Sequence, residues 1–426
     1  MQEDFDEVLD LVGVGLGPFN LSLNALLDKK DCKSIFLEKK SSFSWFPNLL
    51  LKNSKLQINF LKDLVSLIDP TSKYSFLNYL VEHKLINCFL NRNINHINRL
   101  EFEHYMKWVA NQLNNIQYEF EVDNIDYDKD LFICSSKNNR YRSKNIVMGI
   151  GRVPSIPKCC INNLSENVFH VYDYKEKINE NTNLLNKDIL VVGGGQSGAE
   201  IVMDLLDGKC LPKSITWASK RSNFHQLDDS SFVNEFHSPT YLKYFYNKDK
   251  DLKNKLISEQ VLTSDGISLD LANDIYNKAY NLNFIENLNY KLNLLVSNRL
   301  IHITNIQNNK LEVKLKNLVN NQVQIKKVDI VILATGFKSY LPYFLKDFLQ
   351  IDSFDDIELN IDYSLKNNRF KGKMFLQNIS RSSHGVSDSN LSLASYRNAK
   401  IINSVFESNI YNIDSYSLLN FNGEVI

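Results

Sequence analysis

Two short stretches limit the fold more than any other feature of the chain: DLVGVGLGPFNLSL at residues 10–23 and VVGGGQSGAE at residues 191–200. Each reads as a buried strand, a glycine turn and a helix start. In such a unit the first glycine permits the tight turn, the second lets a pyrophosphate approach the backbone, and the third lets helix and strand pack closely. The helix N-terminus then presents free N–H groups and the positive end of its dipole to the phosphates. The first unit has Gly13 and Gly15, followed by Gly17 and by Pro18 where a third glycine is expected. Proline costs little in a first helical turn, where its missing N–H has no partner. Glu38 ends the next strand; a carboxylate there binds both ribose hydroxyls and repels a 2′-phosphate, which suits FAD or NAD. The second unit has Gly193, Gly195 and Gly198, with Gln196, Ser197 and Ala199 around the helix start. Its second strand ends in Ser219, Lys220 and Arg221, and cations there suit the 2′-phosphate of NADP(H). One such motif is weak evidence, because a glycine turn in an α/β fold needs no nucleotide. Two of them, with opposite charge at the ribose positions, point to a flavin in the first unit and a nicotinamide hydride donor in the second.

The rest of the chain fits an α/β fold of two dinucleotide-binding (Rossmann-like) domains with a smaller, mainly helical substrate-binding region. The expected boundaries are 1–160 plus 337–426 for an FAD-binding domain, 161–225 plus 296–336 for an NADPH-binding domain, and 226–295 for the helical region. The Pro-punctuated RVPSIPKCC marks a domain crossing. Residues 117–150 read as hairpins, and KLEVKLKNLVNNQVQIKKVDIVILATGF as a hairpin followed by a buried strand. A last strand, KMFLQNI, precedes a polar loop and a helix from about Asn390 to Phe406.

With 49 basic and 49 acidic residues, the balanced charge argues against nucleic acid or an anionic membrane surface as the main partner. No run of about 18 apolar residues predicts a transmembrane segment. The acidic start, MQEDFDEVLDLVG, resembles neither a secretory signal nor a transit peptide. Cys32, Cys88, Cys134, Cys159, Cys160 and Cys210 form no CxxC pair and have no metal-ligand spacing with histidine, so free thiols in a cytoplasmic protein and no metal are expected.

Further motifs carry a resemblance. FSWFP, LQINFLKDLVSLIDPTSKYSFLNYL, SKRSNF, FVNEFHSP, TSDGIS, ATGF and HGVSDSNLSLASYR, together with the glycine turns, are similar to those of the flavin-dependent N-hydroxylating monooxygenases of siderophore synthesis, the lysine and ornithine N-monooxygenases. The match runs over nearly the whole chain, and TSDGIS and HGVSDSNLSLASYR look more like the lysine branch. The resemblance implies that NADPH reduces FAD, that reduced flavin takes up O2 to form a hydroperoxyflavin, and that this species hydroxylates the side-chain amine of L-lysine, an early step toward a hydroxamate siderophore for iron acquisition. By matching position, Glu38 through Phe46, Trp45 included, and Gln57 would touch FAD, with Ser389, Asn390 and Leu391 near its ring. Gln196, Ser197, Gly198, Ala199 and Arg221 would touch NADPH; Lys62, Asn234 and Ser392 would face the amino acid. Ornithine enzymes contact substrate and cofactor through the Asn of an Asn-Tyr-Ser turn where this chain has Thr263-Ser264-Asp265-Gly266; Ser264 is the candidate substrate contact here, whether it or Asp265 inherits that role stays open, and the departure disfavours ornithine. Relatives are often tetramers, and a homotetramer is expected by analogy.

Each assignment competes with a plainer one. Lys62 is a natural partner for a substrate carboxylate, yet most lysines are simply solvated. Asn234 offers a donor and an acceptor, yet Asn is a common turn residue. Ser392 reads as a first-turn cap, and the helix start at Asp388–Asn390 could aim its dipole at the flavin. The aromatics of residues 43–108 are core packing by default. His384 invites an acid–base role, but the sequence shows no partner for it. Other amines remain open as substrate: L-ornithine, cadaverine, putrescine or histamine, although a decarboxylated amine would leave Lys62 without a counter-anion. A two-nucleotide reductase would want a CxxxxC-type pair, which is absent from the sequence. A nucleotide-binding redox sensor is the non-enzymatic rival.

Overall fold

The computed structural model describes residues 7–421 apart from 138, 180, 209–210, 287–290, 308–309, 354–355, 367–368 and the side chain of residue 291. Cys210 and the first six residues of the acidic start lie outside the described residues.

Val8–Val14 is the central strand of the first sheet. Leu11, Val12 and Val14 are buried, as a parallel strand covered on both faces requires. It pairs in parallel with Ser34–Leu37 and with Asn139–Met148, in register Val12↔Ile35 and Val12↔Ile146. Ile116–Gln117 extends one edge; Leu131–Ser136 and Asn124–Asp128 extend the other as antiparallel strands. Met374–Leu376 returns from far along the chain to pair in parallel with the end of Asn139–Met148. Helix Pro18–Leu27 is buried along its whole length. The last helix, Ala394–Phe406, packs against it, and Asn398 Nδ2 donates to the Phe19 carbonyl at 2.8 Å.

The second sheet is wholly parallel, in the order Lys291–Leu295, Ser214–Ala218, Asp188–Val192, Ile330–Leu333, Val168–His170. Its edge strand Lys291–Leu295 falls inside the stretch expected to be helical, so the helical region ends sooner than residue 295. Five residues with Asn at their centre carry too little periodicity to separate strand from helix. A three-stranded antiparallel sheet of Asn298–Ile306, Lys310–Asn317 and Val323–Val328 follows. Lys310–Asn317 alternates buried and half-exposed positions; Leu311, Val313 and Leu315 face a core shared with Leu190 and Val331 of the second sheet.

The chain passes between the two sheets twice, and the two crossings touch. Arg152–Pro154 pairs antiparallel with Phe337–Ser339, and Arg152 Nη2 donates to the Phe337 carbonyl at 2.6 Å. The helical region consists mainly of Pro239–Tyr246, Lys250–Glu259 and Leu269–Tyr280. Ser238 and Asp249 cap the first two, each accepting from a backbone N–H three residues on.

The aromatics of residues 43–108 do form core. Phe76, Phe89, Phe102 and Tyr105 are buried together, with Phe76 and Tyr105 edge-on at 5.4 Å. Among the described residues no helix is long and apolar enough to cross a membrane, and no group of three His, Cys, Asp or Glu could hold a metal ion.

Candidate active site

The first glycine turn is held from behind by its own strand neighbours. Gly15 has φ +82°, and a Cβ there would lie 2.6 Å from the Gly149 carbonyl oxygen. Asn20 fixes the turn from within the helix, donating to the carbonyls of Val14 and Gly15. Gly17 is different: a Cβ there would meet nothing within 4 Å, so its outer face is open. Glu38 is buried and tied to this turn, accepting from Leu16 N at 2.7 Å and Lys40 N at 3.0 Å, one bond on each oxygen. A carboxylate has further lone pairs for ribose hydroxyls. Trp45 packs edge-on against Phe102 of the first core, whereas Phe46, at φ +46°, turns toward Phe337 at 5.3 Å.

In the second turn Gly193 has φ +132°, and a Cβ would fall 2.0 Å from the Ala334 oxygen. Trp217 Nε1 donates to the Gly193 carbonyl at 2.7 Å, locking the second strand to the turn. Ser197 is half-buried and Ala199 buried at the helix start. Gly195 faces the TSDGIS loop, with the Asp265 carbonyl 3.8 Å from where its Cβ would stand. Arg221 reaches the same loop: Nη1 donates to the Asp265 carbonyl at 2.6 Å, and Nη2 lies 3.9 Å from its carboxylate. Lys220 is exposed beside it. Ser264 donates to the Asp265 carboxylate at 3.2 Å. The structure therefore sets Ser264 and Asp265 beside the cation of the second unit.

Gln57 and Gln196 meet, 139 residues apart, at 3.3 Å. Gln196 also donates to Glu200 at 2.9 Å and accepts from Ser268 N at 2.9 Å. Glu200 is buried and paired with Arg99 of the first unit at 3.0 Å; burial pushes its carboxyl up and Arg99 opposes this. Arg99 carried no sequence signal, and Glu200, although it closes the VVGGGQSGAE stretch, gave no sign of a partner 101 residues away.

Lys62 is presented by a tightly built turn. The buried Asp63 carboxylate accepts from Val65 N, Ser66 N, Ser66 Oγ and Phe76 N at 2.6–2.9 Å. Burial raises the Asp63 carboxyl, and these donors oppose it. Lys62 itself is half-buried; burial lowers its ammonium and the field of Glu235 opposes the drop. The 3₁₀ turn Val233–His237 thus lies beside Lys62. Within that turn Asn234 is exposed, with its amide donating to the Asp229 carbonyl at 2.8 Å. His237 is buried, its pKa lowered to about 4 chiefly by burial and then by Lys62, and its Nδ1 has no partner among the described residues. Glu235 and His237 were both legible within FVNEFHSP but received no role there.

The loop before the last helix departs from expectation. The helix begins at Ala394, and Val386–Ser389 and Leu391–Leu393 are separate 3₁₀ turns. Ser392 lies before the helix, its N–H capped by Asn390 Oδ1 at 2.9 Å, so the helix dipole does not start at Asp388–Asn390. An Asx turn at Asn390 competes with helix and delays it. Asp388 is buried against the fully buried Arg397 at 3.0 Å and accepts from Ser380 N and Oγ. Ser389 is half-buried, and Leu391 packs against the first core. His384 is buried, stacked 4.1 Å from Tyr363, with burial lowering its pKa to about 3. It is neutral near pH 7 and built into packing. Gln377 Oε1, Asn378 Oδ1, Ser387 Oγ, Ser392 Oγ and Asn398 Oδ1 are buried without a protein partner among the described residues. Buried polar atoms normally find partners, so each of these retains capacity for a polar group that the chain itself does not supply.

Two glycine turns, one with a carboxylate and one with a guanidinium at the ribose position, bridged by Gln57 and Gln196, define a two-nucleotide oxidoreductase. The family model for L-lysine 6-monooxygenase/L-ornithine 5-monooxygenase matches residues 7–339. An L-lysine N6-monooxygenase of Escherichia coli is 33% identical over 416 residues, 95% of this chain and 96% of its own length. A putrescine N-hydroxylase of Acinetobacter baumannii is 33% identical over 424 residues, 96% of this chain and 92% of its own. The crystal structure of an FAD-bound cadaverine monooxygenase from Erwinia amylovora superposes with a TM-score of 0.90 at 26% identity, covering 99% of this chain and 100% of that one. The chain belongs to the L-lysine 6-monooxygenase/L-ornithine 5-monooxygenase family, flavin-dependent monooxygenases that hydroxylate amine nitrogen.

Proposed function

We propose that this chain uses FAD, NADPH and O2 to hydroxylate a terminal primary amine, and that the amine belongs to an aliphatic diamine of the putrescine or cadaverine kind. The hydrogen bond between Gln57 and Gln196 carries the two-cofactor reading, because it joins the expected flavin side to the first residue of the second unit's helix. The residues fit the groups: Gly17 is open toward a pyrophosphate, Glu38 retains lone pairs for a ribose, and Arg221 presents a guanidinium to a 2′-phosphate. When bound, the flavin activates oxygen and NADPH supplies the electrons.

The protein's own task is to present a neutral amine. An alkyl ammonium has a pKa of ~10.4, so holding it neutral near pH 7 costs about 4–5 kcal/mol. Desolvation lowers that cost, provided no free carboxylate sits beside the reacting nitrogen. Asp265 and Asp388, the carboxylates of the two flanking loops, are each engaged by an arginine. A diamine brings no carboxylate of its own to serve as counter-anion to Lys62, which is the objection to it. Glu235 removes that objection, since its field already reaches Lys62 from within the chain. Similarity is compatible with a diamine: the relative acting on putrescine is as identical, at 33%, as the one acting on L-lysine, and the cadaverine enzyme superposes with a TM-score of 0.90 at 26% identity.

L-Lysine is the second reading, favoured by the cation at Lys62. Replacing that cation separates the two. Lys62→Met should raise the KM for L-lysine about 10-fold or more, the loss of a charge-assisted bond. For cadaverine it should leave KM unchanged or lower it, because a like charge is removed. Products are read by mass spectrometry as N–OH compounds. A wild-type protein that consumes NADPH but forms no N–OH compound from any amine would overturn the function itself. An N-hydroxylated diamine or lysine is raw material for hydroxamate iron chelators, so the expected setting is siderophore biosynthesis.

A further inference from the structure

We propose that Glu235 is the second charged anchor of the amine site, holding the ammonium that is not oxidised, and that Ser417 on the C-terminal segment orients it. This rests on the amine-hydroxylating reading above and adds a residue pair to it.

Glu235 lies on the Val233–His237 turn, next to Asn234 and two residues before His237. The field of Glu235 acts on Lys62, yet the two form no direct ion pair within 4.0 Å among the described residues. Glu235 is half-buried and, among the described residues, its carboxylate is held by the Ser417 hydroxyl and by no cation within ion-pair distance, so it keeps acceptor capacity for an ammonium. His237, neutral and with Nδ1 buried and unpartnered, supplies an uncharged acceptor on the same turn.

The carboxylate does not swing free. Ser417 Oγ donates to Glu235 Oε2 at 2.6 Å, a charge-assisted bond across 182 residues of sequence. Leu419 N in turn donates to Ser417 Oγ at 3.1 Å, which fixes the hydroxyl. The segment around Ser417 is laid along the helical region as a strap. Thr240 donates to the Ser415 carbonyl at 3.3 Å, and the Phe421 ring packs 5.0 Å from Tyr241 and 5.6 Å from Tyr244. Tyr416 and Leu418 are fully exposed, whereas Ser417 between them is half-buried and turned to Glu235. A segment with so little apolar burial of its own is held on this turn by Ser417 and Phe421.

The chemistry follows from charge. In an α,ω-diamine the distal ammonium meets Glu235 while the other nitrogen, away from any free carboxylate, sheds its proton. In L-lysine the α-ammonium meets Glu235 and the α-carboxylate meets Lys62. A monoamine of equal length satisfies neither group.

The test uses the full chain loaded with FAD, with NADPH and O2, and compares N–OH formation from cadaverine and from pentan-1-amine. Wild-type protein should favour cadaverine in kcat/KM by roughly 10–100-fold, the range of one charge-assisted bond. Glu235→Gln keeps the shape and should collapse this preference to within a few-fold, chiefly through KM. Ser417→Ala, on an outlying segment, should lose part of the preference, and Ser417→Thr should retain it. The cadaverine-to-pentan-1-amine ratio within one preparation does not depend on the active fraction, so partial misfolding cannot imitate the result. If Glu235→Gln discriminates as wild type does, the anchor is elsewhere and the diamine reading survives. If wild type does not discriminate at all, the anchor is also refuted. If wild type makes no N–OH compound from any amine, the function reading falls and the anchor with it.

Discussion

Adding one methyl group to either nucleotide turn should have opposite consequences in the two units. At Gly198 a Cβ would stand 2.1 Å from the Gly193 carbonyl oxygen and 3.1 Å from Trp217 Nε1. Helix and strand would have to separate by about 1 Å to reach ordinary contact, and the hydrogen bond from Trp217 to Gly193 would stretch or break. Overpacking of this kind costs about 1–3 kcal/mol, and the lost hydrogen bond about 1 more. Gly198→Ala should therefore destabilise the second unit by roughly 2–4 kcal/mol, lowering its Tm by roughly 5–10 °C. At Gly17 the added methyl meets no protein atom and φ is −83°, so Gly17→Ala should leave Tm within about 1 °C. Its cost should appear only against the pyrophosphate, as weakened FAD retention. Thermal melts of apoprotein, with flavin absorbance after gel filtration, read both effects. A stable Gly198→Ala, or a Gly17→Ala that melts early, would refute the packing argument.

Arg221→Gln should raise the KM for NADPH about 10–100-fold and change that for NADH little, since only the former carries the 2′-phosphate. Asp265→Asn should lower the KM for NADPH, because a carboxylate 3.9 Å from the Arg221 guanidinium competes with that phosphate; steady-state NADPH oxidation checks both. Arg99→Gln leaves the buried Glu200 uncompensated and should cost about 3–5 kcal/mol, with the interface between the two sheets opening first in hydrogen exchange. Acid should destabilise the fold. Burial holds His170 and His237 to about 4 and His384 to about 3, against an ordinary 6.5, so the unfolded chain binds more protons below pH 6.5 and stability falls as pH drops toward 4. Each should contribute about 1–2 kcal/mol of loss between pH 7 and 5, and a denaturation midpoint that stays flat over that range would refute it.

Much of this fold was legible because its elements obey short-range rules. The glycine spacings place Gly15 and Gly193 where positive φ is needed, and Glu38 and Arg221 follow from strand ends a fixed distance on. Lys291–Leu295 was not legible, because five residues with an asparagine at their centre carry no usable period. Residues 298–306 were missed for a related reason: RLIHITNI mixes polar and apolar residues on both faces until its partner strand shows which side is buried. The helix start at Ala394 was misplaced because Asn390 and Ser392 look like helix caps but form a local turn instead. Lys62 was read as a cation facing substrate, but Asp63, which shapes its turn, announces itself only through donors as distant as Phe76. Glu235 and Ser417 meet across the sequence, and no local pattern can foretell such a meeting.

The paired crossings at Arg152–Pro154 and Phe337–Ser339 have a mechanical corollary. Two separate tethers would let the nicotinamide-side sheet drift in several directions relative to its neighbour. Zipped into one ribbon, they behave as a torsion bar: twisting about its length strains little, whereas sliding or parting must unzip it. Rotation about that ribbon is the displacement of one sheet against the other that leaves the pairing intact, and it would have to part the Gln57–Gln196 and Arg99–Glu200 contacts as it went.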